Sequence, residues 1–183
     1  MLASASPRRQ ELLKNAGIPF VVRPADIPEI PFVGERPKAF AERMAIEKAR
    51  AVRADKPEGV ILAADTVVAV GDEILGKPEN TGDAERMLCL LSDRTHEVIT
   101  AVCLLGESFE DVHAETTAVH FTAMSDAEIS EYVASGEPMD KAGAYAIQGR
   151  ASRWISKIEG DYYNVVGLPV DLVWRMLREN RVL

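Results

Sequence analysis

Residues 59 to 78, GVILAADTVVAVGDEILGKP, constrain the fold more tightly than any other stretch. Val60 to Ala64 form a short unbroken apolar run suited to a strand buried on both faces, and the run stops at Asp65 and Thr66. Val67 to Val70 then enter a turn at Gly71 and Asp72, and Glu73 to Leu75 return as a hairpin partner. An aspartate directly after a buried strand is held rigidly at a sheet edge, which suits a metal ligand or a general base. The alternative is a structural cap on the next turn. Lys77 follows between Gly76 and Pro78, which restrict the backbone around a single cation.

The N-terminal stretch LASASPRRQELL breaks a local rule. Ser6 reads as an N-cap and Pro7 as the first helical residue, because proline lacks an N–H and its φ already suits a helix. Arg8 and Arg9 then fall in the first turn, where the helix dipole is positive and acidic side chains are preferred. Two explanations are open. Either the arginines are solvated on a surface helix, or free N–H groups, serine hydroxyls and guanidinium forks converge on a phosphate or carboxylate.

Gly17 is a good residue to follow the helix, and Ile18 to Val22 read as a strand. RPADIPEIPFVGERP, with four prolines and a glycine, is an irregular connection, and one this long usually serves a site. Asp26 and Glu29 are its candidates for facing a pocket, the alternative being solvated loop carboxylates. From Pro37 to about Ala54, Phe40, Ala41, Met44, Ala45, Ala49 and Val52 form the apolar stripe of a helix. Lys48 falls inside that stripe, either snorkelling to the rim or reaching toward a buried anion. Arg43, Glu47, Arg50 and Arg53 occupy polar angles and read as ordinary surface.

Further along, residues 83 to 91 read as a helix, and residues 97 to 105 and 116 to 122 as strands. SDAE at Ser125 to Glu128 is a capping box opening another helix, which ends at Gly136. In EPMDKAGAYAIQG, Asp140, Lys141, Tyr145 and Gln148 are able to project. Residues 154 to 159 resume a strand, Gly160 and Asp161 turn, and a C-terminal helix begins at Leu168 with Leu172, Val173, Met176 and Leu177 inward.

A net charge of −8 disfavours an extended nucleic-acid backbone as partner but tolerates a small anion in a local basic pocket. The 183 residues suit one domain spanning 1–183, no apolar run approaches the roughly 20 residues needed to cross a bilayer, and a cytoplasmic location is expected. Cys89 and Cys103 sit among apolar neighbours and read as buried free thiols. His96, His113 and His120 lack metal spacing and read as structural or surface residues. No P-loop, dinucleotide fingerprint or serine nucleophile elbow is present. What remains is Arg8, Arg9, Lys48 and Lys77 as cations, with Asp65 and Glu29 as carboxylates. That set suits cleavage of a phosphoanhydride by a metal-activated water.

LASASPRRQELL, AIEKA, LAADTVV, ILGKP, HEVITAV, GEPMDKAGAYAIQG and VVGLPV occur in this order. Together, and across essentially the whole chain, they resemble the Maf family of nucleotide pyrophosphatases, the septum-formation-inhibitor-like proteins. The resemblance implies an α/β fold in which a mixed, twisted β-sheet with flanking helices forms two lobes around a deep cleft, as in Maf and ITPase-like proteins. It also implies hydrolysis of a nucleoside triphosphate between the α- and β-phosphates, with a divalent metal cation (Mg²⁺, Mn²⁺ or Co²⁺) and a homodimeric state. By that resemblance Ser6, Arg8 and Arg9 bind the triphosphate, Lys48 and Lys77 neutralise it, Asp65 accepts the proton of the attacking water, and Glu29 joins Asp65 at the metal. Arg9, Thr66 and Gln148 match the specificity positions of the dTTP and UTP branch. A glutamine amide accepts from N3–H and donates to O4 of uracil or thymine, groups that cytosine reverses. A second expectation is a nucleotide-binding regulator of cell division acting through a protein partner, in which hydrolysis is vestigial.

Overall fold

The computed structural model describes residues 1–55 and 58–183. In chain order its elements are α1 (Pro7–Asn15), α2 (Pro37–Asp55), β1 (Ile61–Val70), β2 (Glu73–Leu75), α3 (Thr81–Leu91), β3 (Thr95–Leu105), β4 (Glu110–Phe121), α4 (Asp126–Ala134), β5 (Ile155–Glu159), α5 (Tyr162–Val166) and α6 (Val170–Glu179). Short 3₁₀ turns occupy Glu137–Asp140, Ala142–Ala144 and Arg150–Trp154.

The strands form one sheet in the order β2-β1-β3-β4-β5, every neighbouring pair antiparallel. Among the described residues, parallel pairing is confined to isolated bridges from Leu2 to Val22 and from Leu2 to Leu62. The strand expected at Ile18 to Val22 therefore reduces to that bridge at Val22, because only Leu2 is there to pair with it. The expected hairpin at Gly71 and Asp72 forms, with Val70 opposite Glu73. The first strand, however, does not stop at Asp65; it runs on to Val70, and Asp65 lies mid-strand opposite Ala101. An isolated polar residue in a strand paired along its length does not break the ladder, since the backbone carries the pairing whatever the side chain.

Strand alternation sorts the core into faces. Ile61, Ala63 and Val67 of β1, with Ile99, Ala101 and Cys103 of β3, pack under α2. All six residues of the α2 stripe are buried in that layer, each large one gaining about 1.5–3 kcal/mol by leaving water. On the opposite face Leu62, Ala64, Val102 and Leu104 meet α1 and α6. Further along the same face Val68, Val98 and Val119 meet α3, α4 and the 142–154 segment, which make a second lobe. Thr66, Thr100, Thr117 and Asn164 form a polar strip between these two apolar regions, and the last three are completely buried.

Outer-edge pairing of β1 is interrupted. Leu2 bridges Leu62, and β2 begins pairing at Val68. Among the described residues no strand covers the outer edge from Ala63 to Val67, and the cleft opens there. Within the second lobe the 142–154 segment packs closely on β1 at Gly143, whose φ is +67° and whose added Cβ would lie 2.8 Å from a Val68 methyl. A side chain there is excluded by both space and backbone conformation.

The capping box at Ser125 and Glu128 is present, with both reciprocal hydrogen bonds made. Asn80 caps α3 through Asp83 N–H, starting that helix at Thr81. The C-terminal region is divided, with α5 preceding α6 and started by Asp161, whose carboxylate accepts from Tyr163 N–H at 2.8 Å. Cys103 is buried as expected and burial pushes its thiol up to about 12, but Cys89 is exposed, on the outer side of α3. No helix among the described residues is long and apolar enough to cross a membrane.

Candidate active site

A cleft of about 410 Å³ lies at the interrupted edge of β1. Ser6, Arg8, Arg9, Glu29, Lys48, Asp65, Thr66, Lys77 and Gln148, all the site residues expected from the sequence, line it. Asp26 is exposed and does not line the cleft.

The centre is a charged triad. Lys48 Nζ lies 2.6 Å from Asp65 Oδ1 and 2.5 Å from Glu29 Oε1. Lys48 and Asp65 are 8% and 5% exposed, whereas the Glu29 side chain is 41% exposed. The helical stripe that buries Met44 and Ala45 carries Lys48 inward, and β1 presents Asp65 to the α2 face. A buried lysine of this kind needs a carboxylate partner, because leaving either charge unpaired costs several kcal/mol. Burial alone raises the Glu29 carboxyl, but the charge and hydrogen bond of Lys48, helped by Lys77 and Arg9, hold it below its ordinary value.

The two adjacent arginines differ. Arg9 Nε donates to Gly167 O at 2.8 Å, Nη1 to Ala64 O at 2.7 Å and Ser4 Oγ at 3.2 Å, and Nη2 to Thr66 Oγ1 at 2.9 Å. These acceptors come from three separate parts of the chain. Burial draws the Arg9 guanidinium below its ordinary value, opposed by the charges of Asp65 and Glu29. Arg8 lines the cleft and makes no protein hydrogen bond among the described residues. Ser6 is the N-cap of α1, but its side chain makes no capping bond, and no acidic residue occupies the first turn. The positive end of α1 therefore faces the cleft with its arginines and without an acidic side chain of its own first turn.

Thr66 is fixed from below. Its Oγ1 lies 2.9 Å from Thr100 Oγ1, Thr100 donates to Asn164 O at 3.0 Å, and Asn164 Nδ2 donates to Val98 O and Thr117 Oγ1, both at 2.9 Å. Ser4, Thr100 and Asn164 were not distinguished by sequence reasoning. A polar residue inside the apolar run NVVGLPV was the signal available for Asn164.

The opposite wall is built from loops. Gly143 N–H donates to Gly76 O at 3.0 Å, tying the Lys77 loop to the segment that carries Gln148. Tyr145 lines the cleft and is buried, its hydroxyl 2.8 Å from His96 Nε2 and its ring edge-on to Phe121. Burial, and to a lesser degree His120, lowers the His96 imidazole to about 4, so it is neutral near pH 7. The histidines are structural or surface residues, with His113 paired to Asp111 and His120 to Glu159. Among the described residues no cluster of three or more His, Cys, Asp or Glu side chains converges to hold a metal. Such a geometry offers a fixed carboxylate for proton transfer, several cations for phosphoryl oxygens, and a separate polar patch at Thr66 and Gln148.

A family model described as Maf-like protein matches residues 1–180. Among curated relatives, a dTTP/UTP pyrophosphatase of Koribacter versatilis (strain Ellin345) is 54% identical over 183 residues, covering 100% of this chain and 95% of that protein. One of the same name from Symbiobacterium thermophilum is 50% identical over 179 residues, with 98% and 92% covered. Another, from Syntrophomonas wolfei, is 50% identical over 178 residues, with 96% and 94% covered.

Proposed function

The chain belongs to the Maf-like protein family, and from that premise we propose that it hydrolyses dTTP and UTP to the nucleoside monophosphate and pyrophosphate. The observation that carries this reading is the buried Lys48–Asp65 pair at 2.6 Å, set in a cleft that also holds Arg8 and Lys77. The names of relatives about half identical over 92–95% of their length support the same substrate class.

In the proposed reaction a water oxygen adds to the α-phosphorus, the anhydride bond to the β-phosphate breaks, and pyrophosphate leaves. Asp65 takes the proton of that water, because it is the carboxylate fixed by both a strand and an ion pair. Lys48 and Lys77 offset the phosphoryl charge, and Ser6, Arg8 and the N-terminal N–H groups of α1 meet the triphosphate oxygens. Arg9 has most of its donors engaged, so its contribution is to hold Thr66 and the Gly167 carbonyl in place.

A divalent cation fits the donor set. Glu29 and Asp65 present hard oxygen ligands that converge on one cationic atom, Lys48 Nζ. Mg²⁺ is commonly held by one or two carboxylates, with substrate phosphates and waters completing its shell. When bound, such an ion would lower the pKa of a coordinated water and offset charge on the phosphates.

Pyrophosphate release from dTTP, UTP, CTP, GTP and 7-methyl-GTP, with and without Mg²⁺ or Mn²⁺, tests the reading. Metal-dependent release confined to dTTP and UTP is expected. Release from none of them overturns it, and preference for 7-methyl-GTP reassigns the substrate. Base selection is assigned to Thr66 and Gln148, so Gln148→Glu is expected to erode the UTP to CTP ratio more than it slows UTP turnover. An unchanged ratio removes Gln148 from that role.

A further inference from the structure

Arg43 reads in the sequence as ordinary surface, yet three parts of the loop that bears Glu29 converge on its guanidinium. Nη2 donates to the carbonyl of Ile30, the residue after Glu29, at 3.0 Å. Nε and Nη2 grip both oxygens of Glu35 at 2.7 Å each. The guanidinium carbon sits 3.9 Å from the centre of the Phe32 ring. Glu35 extends the same arrangement, since its Oε2 accepts from Phe32 N–H at 2.9 Å.

Burial anchors this loop only before Glu29. Ile27 packs against the layer under α2, but beyond Glu29 the apolar side chains face solvent, Ile30, Phe32 and Val33 each having more than half their surface exposed. Contacts for the segment after Glu29 come instead from α2, where Arg43 lies five positions before Lys48 and is braced by Glu47 at 3.1 Å. One rigid helix thus carries both the lysine that Glu29 contacts and the arginine that holds the chain beside Glu29.

We propose that Arg43 is a positioning residue for the reaction: its bidentate grip on Glu35, its bond to the Ile30 carbonyl and its stacking on Phe32 keep the Glu29 carboxylate at Lys48. Arg43 does not line the cleft and touches no reacting group. It acts through Glu29 alone. Lysine cannot replace it, because an ammonium lacks the planar fork needed to meet a carboxylate and a carbonyl together.

The proposal rests on the pyrophosphatase reading for its kinetic arm, and hydrogen exchange supplies a second arm that does not. Wild type, Arg43→Ala, Arg43→Lys, Glu29→Gln and the Arg43→Ala/Glu29→Gln double variant are compared for kcat/KM on dTTP and for amide exchange over residues 29 to 35. Arg43→Ala is expected to lose roughly tenfold in kcat/KM in the wild-type background and less than about twofold in the Glu29→Gln background, as two residues acting through one contact should. Exchange over residues 29 to 35 is expected to accelerate in Arg43→Ala while the α2 amides stay protected, and Arg43→Lys is expected to restore neither property. An equal loss in both backgrounds, full rescue by lysine, or unchanged exchange overturns the proposal. If wild type releases no pyrophosphate from any nucleotide, the functional reading fails separately and the exchange result alone decides the role of Arg43.

Discussion

The floor and the rim of the cleft are built on different terms. The floor is Lys48 on the buried stripe of α2, with Asp65, Thr66 and Thr100 on central strands packed on both faces. On the rim, Glu29, Lys77 and Gln148 are exposed and sit on connections fixed by individual hydrogen bonds, such as Gly143 to Gly76. The difference suits the reaction proposed above. Proton transfer tolerates little positional error, so its groups belong on rigid elements. A flexible polyanion can be met by charges on loops, where admission and release are also needed.

The contrast can be broken most sharply at Asp65. Asp65→Asn preserves shape and is expected to lower turnover by roughly 10²-fold or more while leaving nucleotide binding largely intact. Turnover within tenfold of wild type would move the proton acceptor to the rim. The next largest effect is expected from the arginine pair. Arg9→Ala leaves the carbonyls of Gly167 and Ala64 and the Thr66 hydroxyl without their donor, and urea unfolding should register a loss of about 2–4 kcal/mol. Arg8→Ala should change stability by less than about 0.5 kcal/mol and act mainly on KM for the nucleotide. Equal stabilities for the two variants would erase the distinction between brace and ligand.

His96 tests how rim and floor are joined, since it lies on β3 and holds the Tyr145 hydroxyl at 2.8 Å. Its folded pKa of about 4 is below the ordinary value of 6.5, so the unfolded chain binds the additional proton. Its contribution is therefore complete above pH 6.5 and is lost as pH falls from 6.5 toward 4. The linked loss is roughly 3 kcal/mol if burial of the neutral ring is retained. Unfolding free energies measured across that window should lose much of their slope in His96→Gln, and an unchanged slope would assign it to other groups.

Features set by nearest neighbours were legible in the sequence. The Ser125–Glu128 capping box, the Gly71-Asp72 hairpin and the place of Lys48 within the α2 stripe all follow from spacing along the chain, while the inward course of Lys48 was left open there. The bracing of Arg9 was not, because its partners Ala64 and Gly167 lie 55 and 158 positions away. Arg43 was misread as surface for a similar reason. Its helical angle is polar, and only the path of the preceding loop brings Ile30, Phe32 and Glu35 over it. The extent of β1 was also hidden, since Asp65 and Thr66 look like an end until β3 is seen pairing with both.

The uncovered edge of β1 has a consequence for solubility. A bare strand edge is a template on which another polypeptide can add by backbone pairing, the first step toward aggregates. Among the described residues the stretch left unpaired by any strand runs only from Ala63 to Val67, bounded by Leu2 at one end and β2 at the other, and all of it but Thr66 is buried. That gap is five residues, so a guest strand longer than this would collide with those boundaries. It would also meet the Arg9 guanidinium, which already occupies the Ala64 carbonyl. The edge needed for access is thus kept too short and too charged for a second chain to use, and a protein lacking Arg9 would lose part of that protection along with its stability.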